Sequence, residues 1–121
     1  MGNKTILLVD DSPTHVRTLQ SALQGHGYRL ETANDGEEAL AKVIHDKPDV
    51  VLLDVVLPKK NGFQVCRQLK TAPETRGTKV IMVTSKSHES DRFWGLRQGA
   101  DEFLTKPVNP DELLEVVARY L

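Results

Sequence analysis

Residues 48–54 read PDVVLLD, and this segment decides how the rest of the chain is interpreted. Four aliphatic residues in a row are typical of a parallel β-strand that is buried on both faces. Asp54 follows the run directly, and a carboxylate in that place is costly unless it is paired with a cation or binds a ligand. The segment therefore predicts a central strand that ends in a functional acid.

Similar short aliphatic runs alternate with longer stretches whose apolar residues recur at helical spacing. Ser12-Pro13, Asn61-Gly62 and Asn109-Pro110 supply residues that favour helix starts. The order is βαβαβαβαβα, and right-handed crossovers then place helices on both faces of one sheet. We expect an α/β, doubly wound, five-stranded parallel sheet in a single domain over residues 1–121, with strands at 5–9, 28–33, 49–53, 79–83 and 102–104.

Composition excludes several functional classes. The 121 residues give room for one domain, and 16 basic against 17 acidic residues argue against a dedicated nucleic-acid binder. The longest apolar runs have only four residues, and the N-terminus lacks the apolar region of a signal peptide. The single cysteine, Cys66, suits a reducing compartment. We expect a cytoplasmic protein that contacts neither a membrane nor nucleic acid directly.

Reactive groups follow four of the five predicted strands, namely Asp10 and Asp11, Asp54, Thr84, and Lys106. The carboxyl ends of parallel strands lie along one edge of the sheet, where ligands bind. Each group also has an ordinary interpretation: an acidic turn before a helix, a strand-end hydroxyl, a solvated turn. Their combination at successive strand ends favours one shallow pocket.

The chemistry of such a pocket points to phosphoryl transfer. Three clustered carboxylates repel one another unless a proton or a cation joins them, and oxygen ligands without His or Cys favour Mg²⁺. Beside that ion, a carboxylate nucleophile with a hydroxyl and an ammonium suits transfer of a phosphoryl group. No glycine-rich loop follows the first strand, where the sequence reads DDSP, and this argues against nucleotide binding.

Three stretches resemble the receiver domains of two-component response regulators of the CheY-like type: LLVDDS at 7–12, PDVVLLD at 48–54 and GADEFLTKP at 99–107. Pro58 and Gly62 fit the same pattern, and the resemblance covers essentially the whole chain. It implies a flavodoxin-like sheet with strand order 2-1-3-4-5.

The resemblance also implies roles for individual residues. Asp54 corresponds to the phosphoacceptor, and Asp10, Asp11, Asp54 and the backbone carbonyl of Val56 correspond to the Mg²⁺ ligands. The chain departs from the chemotaxis protein at Val56, since the family member has a polar residue there.

The remaining site residues lie on the fourth and fifth strands. Thr84 corresponds to the residue that hydrogen-bonds the phosphate, and Lys106 to the residue that pairs with it. Thr84 and Phe103 correspond to the switch pair of the family, and the bond between Lys106 and Pro107 to a cis peptide.

The function implied is a phosphorylation-dependent switch, with a sensor histidine kinase as phosphodonor and a downstream protein as target. The chain would catalyse only its own phosphoryl transfer and autodephosphorylation and is otherwise not an enzyme. Because the last helix ends at Leu121, we expect a stand-alone regulator. We also expect a monomer, or a weak dimer through the face of the fourth helix, fifth strand and fifth helix.

Two other functions compete with this one. The first is an interaction module that has lost phosphorylation, and the intact set of Asp54, Thr84 and Lys106 argues against it. The second is an aspartate-nucleophile phosphatase, which usually carries a second Asp two residues after its nucleophile. That position is Val56 here.

Residues 90–101, SDRFWGLRQGAD, resemble the fourth helix of small regulators of type IV pilus twitching motility. Packing is one interpretation of this motif: Trp94 fills a groove beside the third helix, and Gly95 allows close approach to the sheet. Contact with a partner protein is the other.

The histidines lack the spacing of metal ligands, so all four are expected at exposed positions outside the site. Cys66 lies on the apolar face of its helix and is expected to be an inert core residue. The histidines are His15, His26, His45 and His88.

Overall fold

The computed structural model describes residues 3–86 and 88–121. Five strands alternate with five helices in the predicted order. The elements are β1 (Thr5–Val9), α1 (Pro13–Leu23), β2 (Arg29–Ala33), α2 (Gly36–Asp46), β3 (Val50–Leu53), α3 (Gly62–Thr71), β4 (Lys79–Thr84), α4 (Glu89–Arg97), β5 (Glu102–Thr105) and α5 (Pro110–Arg119).

The strands form one parallel sheet in the order β2-β1-β3-β4-β5, so both the fold class and the strand order are confirmed. Val9 lies opposite Leu53 across β1 and β3, and Leu53 lies opposite Met82 across β3 and β4. Thr84 and Thr105 form the last pair of β4 and β5. This register brings the carboxyl ends of four neighbouring strands, β1, β3, β4 and β5, to a common edge.

Alternate residues of the central strands point into two separate core layers. Val51 and Leu53 of β3 pack with residues of α2 and α3, whereas Val50 and Leu52 pack with residues of α1 and α5. All four residues of β3 are buried, as the aliphatic run predicted. Each buried aliphatic side chain contributes roughly 1.5–3 kcal/mol relative to an exposed one, so the two layers account for most of the stabilisation.

Side-chain caps fix three of the helix starts that the sequence predicted. Ser12 accepts a hydrogen bond from the His15 amide at the start of α1, and Asn109 accepts two at the start of α5. Asn61 and Gln64 form a reciprocal capping box at the start of α3. These caps place the first turns of α1 and α3 beside the carboxyl edge of the sheet.

The fourth helix is the most exposed of the five. Among its nine residues only Gly95 is buried, and Phe93, Trp94 and Leu96 are 61%, 50% and 43% exposed. The packing interpretation of residues 90–101 therefore holds for Gly95 and only partly for Trp94. In the described residues, no helix is both long enough and apolar enough to cross a bilayer.

Candidate functional site at the carboxyl edge of the sheet

The sheet brings four of the predicted site residues together. Asp10 follows β1 and is 1% exposed, and Asp54 follows β3 and is 7% exposed. Thr84, at the end of β4, is fully buried, and Lys106 follows β5. The pocket is therefore assembled by the strands themselves, whose backbone is held by the sheet.

Lys106 links the two buried carboxylates. Its Nζ lies 2.5 Å from Asp10 Oδ2 and 3.2 Å from Asp54 Oδ2, and its side chain is 11% exposed. Two carboxylates that are this deeply buried would repel each other strongly without a cation between them. The ammonium balances one of the two negative charges, and the pair keeps a net charge of −1.

His15 is a correction to the sequence-based prediction, which left every histidine outside the site. His15 lies in the first turn of α1, where its Nδ1 is 2.8 Å from Lys106 Nζ and 3.6 Å from Asp10 Oδ2. Its side chain is about half exposed, so it forms the solvent-facing side of the pocket. The signal available in the sequence was its position three residues after the cap Ser12, on a helix that begins directly after the acidic pair.

Asp11 is placed differently from the other two acids. It is exposed, and the metal-ligating atoms that lie within 4.8 Å of one another in the described residues come from Asp10, His15 and Asp54. The expected cluster of three carboxylates is therefore two carboxylates with one ammonium and one imidazole. The physical reason is that Asp11 begins the turn into α1, where its side chain is in solvent.

The backbone around Asp54 is held closely by its neighbours. The Asp54 amide donates to the Val9 carbonyl at 3.0 Å, and the Val56 amide lies 3.4 Å from Asp54 Oδ1. Gly62 begins α3 against this loop, because its amide donates to the Val55 carbonyl at 2.8 Å. A Cβ on Gly62 would lie 2.2 Å from the Asp54 carbonyl oxygen, so only glycine permits this approach.

Thr84 and Lys106 are joined through the backbone. The Lys106 amide donates to the Thr84 carbonyl at 2.8 Å, and the peptide bond from Lys106 to Pro107 is cis. The Thr84 hydroxyl oxygen accepts from the Lys86 amide at 3.3 Å. The hydroxyl hydrogen is therefore not used by that contact and remains able to donate to a ligand oxygen.

The residues fit a hard divalent cation. Asp10 and Asp54 offer buried carboxylate oxygens that carry a net negative charge, and the exposed Asp11 adjoins them in the chain. Oxygen-rich ligand sets with retained water are what Mg²⁺ prefers. The described residues therefore provide donors of the right chemistry for Mg²⁺.

The ring of Phe103 connects β5 with α4. It is 2% exposed, and a Cβ on Gly95 would lie 3.1 Å from its Cδ2 atom and 2.8 Å from Met82 Sδ. Arg92 of α4 donates to the Phe103 carbonyl at 3.2 Å. The predicted switch residues Thr84 and Phe103 thus lie on adjacent strands beneath α4.

Cys66 is buried in the core layer of α3, as predicted. Burial raises the pKa of the Cys66 thiol to about 12. A thiol with this pKa stays protonated at neutral pH, so Cys66 offers no nucleophile near the site.

Comparisons with known proteins agree with this geometry. A family model described as the response regulator receiver domain matches residues 6–118. Protein PilH of Pseudomonas aeruginosa is 47% identical over 112 residues, which cover 93% of each chain. The Bacillus subtilis regulator PhoP, an alkaline phosphatase synthesis transcriptional regulatory protein, is 46% identical, but the match covers 92% of this chain and only 45% of PhoP.

Solved structures of response regulators share this fold. The crystal structure of a response regulator from Chloroflexus aurantiacus superposes with a TM-score of 0.93 at 34% identity, over 98% of this chain and 97% of that one. The chemotaxis response regulator CheY4 of Vibrio cholerae superposes with a TM-score of 0.89 at 34% identity, over 98% and 99%.

Proposed function

Since the chain belongs to the response regulator receiver domain family, we propose that Asp54 is the residue on which it is phosphorylated. The observation that carries this assignment is the position of the carboxylate: it is the central acid of the carboxyl edge, with Lys106 Nζ 3.2 Å from Oδ2. Asp10 is more buried and directs its Oδ1 to the Ser12 amide at 2.9 Å. Asp54 is thus the better placed of the two as nucleophile.

The proposed reaction is transfer from a phosphohistidine of a sensor kinase. An oxygen of Asp54 forms a bond to phosphorus while the bond from phosphorus to the imidazole nitrogen breaks. That nitrogen keeps the electron pair of the broken bond, and the ring leaves as neutral imidazole because its other nitrogen carries the proton of the phosphohistidine. Lys106 lies beside the attacking carboxylate and would offset charge on the transferred group, and the Thr84 hydroxyl would donate to one of its oxygens. Such catalysis consists of positioning and electrostatic stabilisation.

Asp10, Asp11, Asp54 and the Val56 carbonyl would hold Mg²⁺. When bound, this ion would neutralise negative charge on the phosphoryl oxygens. Because Lys106 neutralises only one of the two buried carboxylates, the pocket retains the charge that such an ion requires.

We assign the output to protein contacts. Thr84 would turn toward the phosphoryl group, and the space it leaves would favour a different position of Phe103 and of the face formed by α4, β5 and α5. A charge event at one site would thereby bias a two-state element. The expected partners are a histidine kinase and a downstream protein, without direct nucleic-acid contact, and the chain would be a monomer or a weak dimer through this face.

The pathway proposed is twitching-motility signalling in the cytoplasm. Residues 90–101 resemble regulators of type IV pilus motility, and the similarity to PilH over 93% of both chains supports this placement. We expect residues 1–121 to act as one receiver domain that catalyses only its own phosphorylation and dephosphorylation. The phosphatase alternative is disfavoured by Val56, which is half exposed where a second acid would stand.

The test is intact-mass analysis after incubation with acetyl phosphate and Mg²⁺. The chain should gain the mass of one phosphoryl group, and Asp54→Asn should gain none. Asp111→Asn, a change of an exposed acid at the start of α5, is the matched control and should be modified like the parent chain. A full phosphoryl adduct on Asp54→Asn would contradict the assignment of Asp54 as the phosphorylated residue. Turnover of an external phosphomonoester would favour the alternative function as a phosphatase.

A further inference from the structure

We propose that the groove between α3 and α4 is a docking site for an acidic segment of a partner protein. This α3–α4 groove is lined by Arg67, Thr71, Trp94, Arg97 and Gln98. The inference concerns a surface other than the proposed phosphorylation site and does not depend on the phosphorylation of Asp54.

The α3–α4 groove lies on a different side of α4 from β5. Gly95 faces the sheet, because a Cβ there would touch Met82 and Phe103. Arg92 reaches the Phe103 carbonyl on the β5 side. Trp94 and Gln98 are one helical turn apart and face α3, as their shared groove with Thr71 requires. A partner in this groove would therefore leave the α4–β5–α5 face free.

The indole is more exposed than packing alone explains. Trp94 is 50% exposed although α3 lies beside it, and the neighbouring Phe93 is 61% exposed. Trp and Arg are the residue types most enriched at the energetic centres of protein interfaces, because they combine large apolar area with directed polar contacts. The α3–α4 groove, which the half-exposed Trp94 lines together with Arg67 and Arg97, has this composition.

The charge of the groove defines the occupant. Within residues 3–86 and 88–121, neither Arg67 nor Arg97 takes part in an ion pair, and the Arg97 guanidinium lies 5.7 Å from the centroid of the Phe93 ring. Lys70 of α3 is different, since Asp101 Oδ2 lies 2.8 Å from its Nζ. Two unpaired guanidiniums beside an indole fit a segment with two carboxylates and an apolar side chain.

Other occupants fit less well. Nucleic acid is disfavoured because the chain carries a net charge of −1 and two guanidiniums do not form a basic stripe. A second copy of the chain would have to offer an acidic surface such as Asp111, Glu112 and Glu115 of α5. That contact would join two different surfaces, so it would build rings or open chains rather than a two-fold symmetric dimer.

Binding of the full chain to an array of random-sequence peptides tests the proposal. Bound peptides should be enriched in Asp and Glu together with an apolar residue. The double variant Arg67→Glu/Arg97→Glu should lose this enrichment at least about tenfold, the loss expected when about 1.4 kcal/mol of contact is removed, and should favour basic peptides instead. The control Arg17→Glu/Arg76→Glu changes two exposed arginines elsewhere and should keep the parent preference.

Trp94 is the only tryptophan, so its fluorescence reports the site directly. A soluble copy of the best acidic peptide should change that fluorescence, and its Gln- and Asn-substituted counterpart should not. Phosphorylation of the double variant by acetyl phosphate should match that of the parent, which separates this test from that of Asp54. The absence of acidic enrichment, a response to oligouridine instead of acidic peptides, or concentration-dependent self-association that Trp94→Ala abolishes would each overturn the proposal.

Discussion

Lys106 is the residue on which the charge balance of the pocket depends. Its ammonium contacts Asp10 Oδ2, Asp54 Oδ2 and His15 Nδ1 at 2.5, 3.2 and 2.8 Å. All three contacts are made by residues from different elements, so Lys106 also joins β1, β3 and α1 to the loop after β5. A cation in this position stabilises the fold as well as preparing the proposed chemistry.

Lys106→Met should therefore destabilise the chain. The substitution leaves two buried carboxylates without their cation, and removal of one partner of a buried pair costs about 3–5 kcal/mol. The Asp54 side chain is 10% exposed, so water can solvate part of its charge. We therefore expect a loss near the lower end of this range, about 3 kcal/mol in the free energy of unfolding measured with urea.

Lys86→Met is the matched control, since Lys86 is exposed and follows Thr84 of the same pocket by two residues. It should change the unfolding free energy by less than about 0.5 kcal/mol. Addition of Mg²⁺ should restore part of the stability of Lys106→Met. Equal stability of Lys106→Met and the parent would show that the two carboxylates do not need this cation.

Val56 should lengthen the life of the phosphorylated state. It is half exposed, two residues after Asp54, and its apolar branched side chain does not hold a water in line with phosphorus. Val56→Asn should speed hydrolysis about fivefold, equivalent to about 1 kcal/mol of barrier. The decay of the phosphorylated mass in Mg²⁺ buffer measures this.

Val56→Leu, which stays apolar, is the control and should decay like the parent chain. If Val56→Asn decays at the parent rate or more slowly, the apolar side chain of Val56 does not slow hydrolysis, and other groups determine the lifetime.

At this scale the sequence predicted the strand-end residues and missed one neighbour. The sequence could predict the positions of Asp10, Asp54, Thr84 and Lys106, because the strands of a parallel sheet all end at the same edge. His15 was not, because it enters the pocket from a helix, and the direction of one side chain in a first turn depends on the angle at which α1 packs.

Among the elements, α4 differs from the other helices in what it buries. It presents only Gly95 to the core, and the missing side chain is what allows the helix to approach Met82 and Phe103. Since β5 carries Phe103, the fit of this helix also determines the space in which the proposed switch residue can move.

Gly95→Ala should destabilise the chain by about 1 kcal/mol. Alanine gains about 1 kcal/mol in helix propensity, but a Cβ at 2.8 Å from Met82 Sδ and 3.1 Å from Phe103 Cδ2 overpacks the core, which typically costs 1–3 kcal/mol. Thermal or urea unfolding measures the net effect. Met82→Val in the same chain should relieve the clash and recover part of the loss, and a Gly95→Ala variant more stable than the parent would contradict the fit described.

The elements themselves follow from the sequence to different degrees. The aliphatic runs predicted β1, β3 and β4 because strands buried on both faces need continuous apolar residues. Capping residues located the starts of α1, α3 and α5. The exposure of α4 could not be predicted from the sequence, because Phe93, Trp94 and Leu96 are apolar residues in a helix. Only the packing of the fold shows that Gly95 is the one residue of α4 that is buried against the sheet.

For the molecule as a whole, we propose that the pocket and the α4–β5–α5 face form one switch. The two are connected through rigid elements: Thr84 ends β4, its carbonyl accepts from the Lys106 amide at 2.8 Å after β5, and Phe103 of β5 packs under α4. A change at Thr84 has therefore only a short path to the surface where Arg92 and Leu96 lie.

The most direct test is the comparison of backbone amide shifts before and after addition of beryllofluoride, a phosphoryl mimic, in Mg²⁺ buffer. Amides of Arg92, Leu96 and Phe103 should shift together with those around Asp54, and Asp54→Asn should show neither change. Shifts confined to the loops that carry Asp10, Asp54 and Lys106, with α4 and β5 unchanged, would show that the pocket and the α4–β5–α5 face are not coupled.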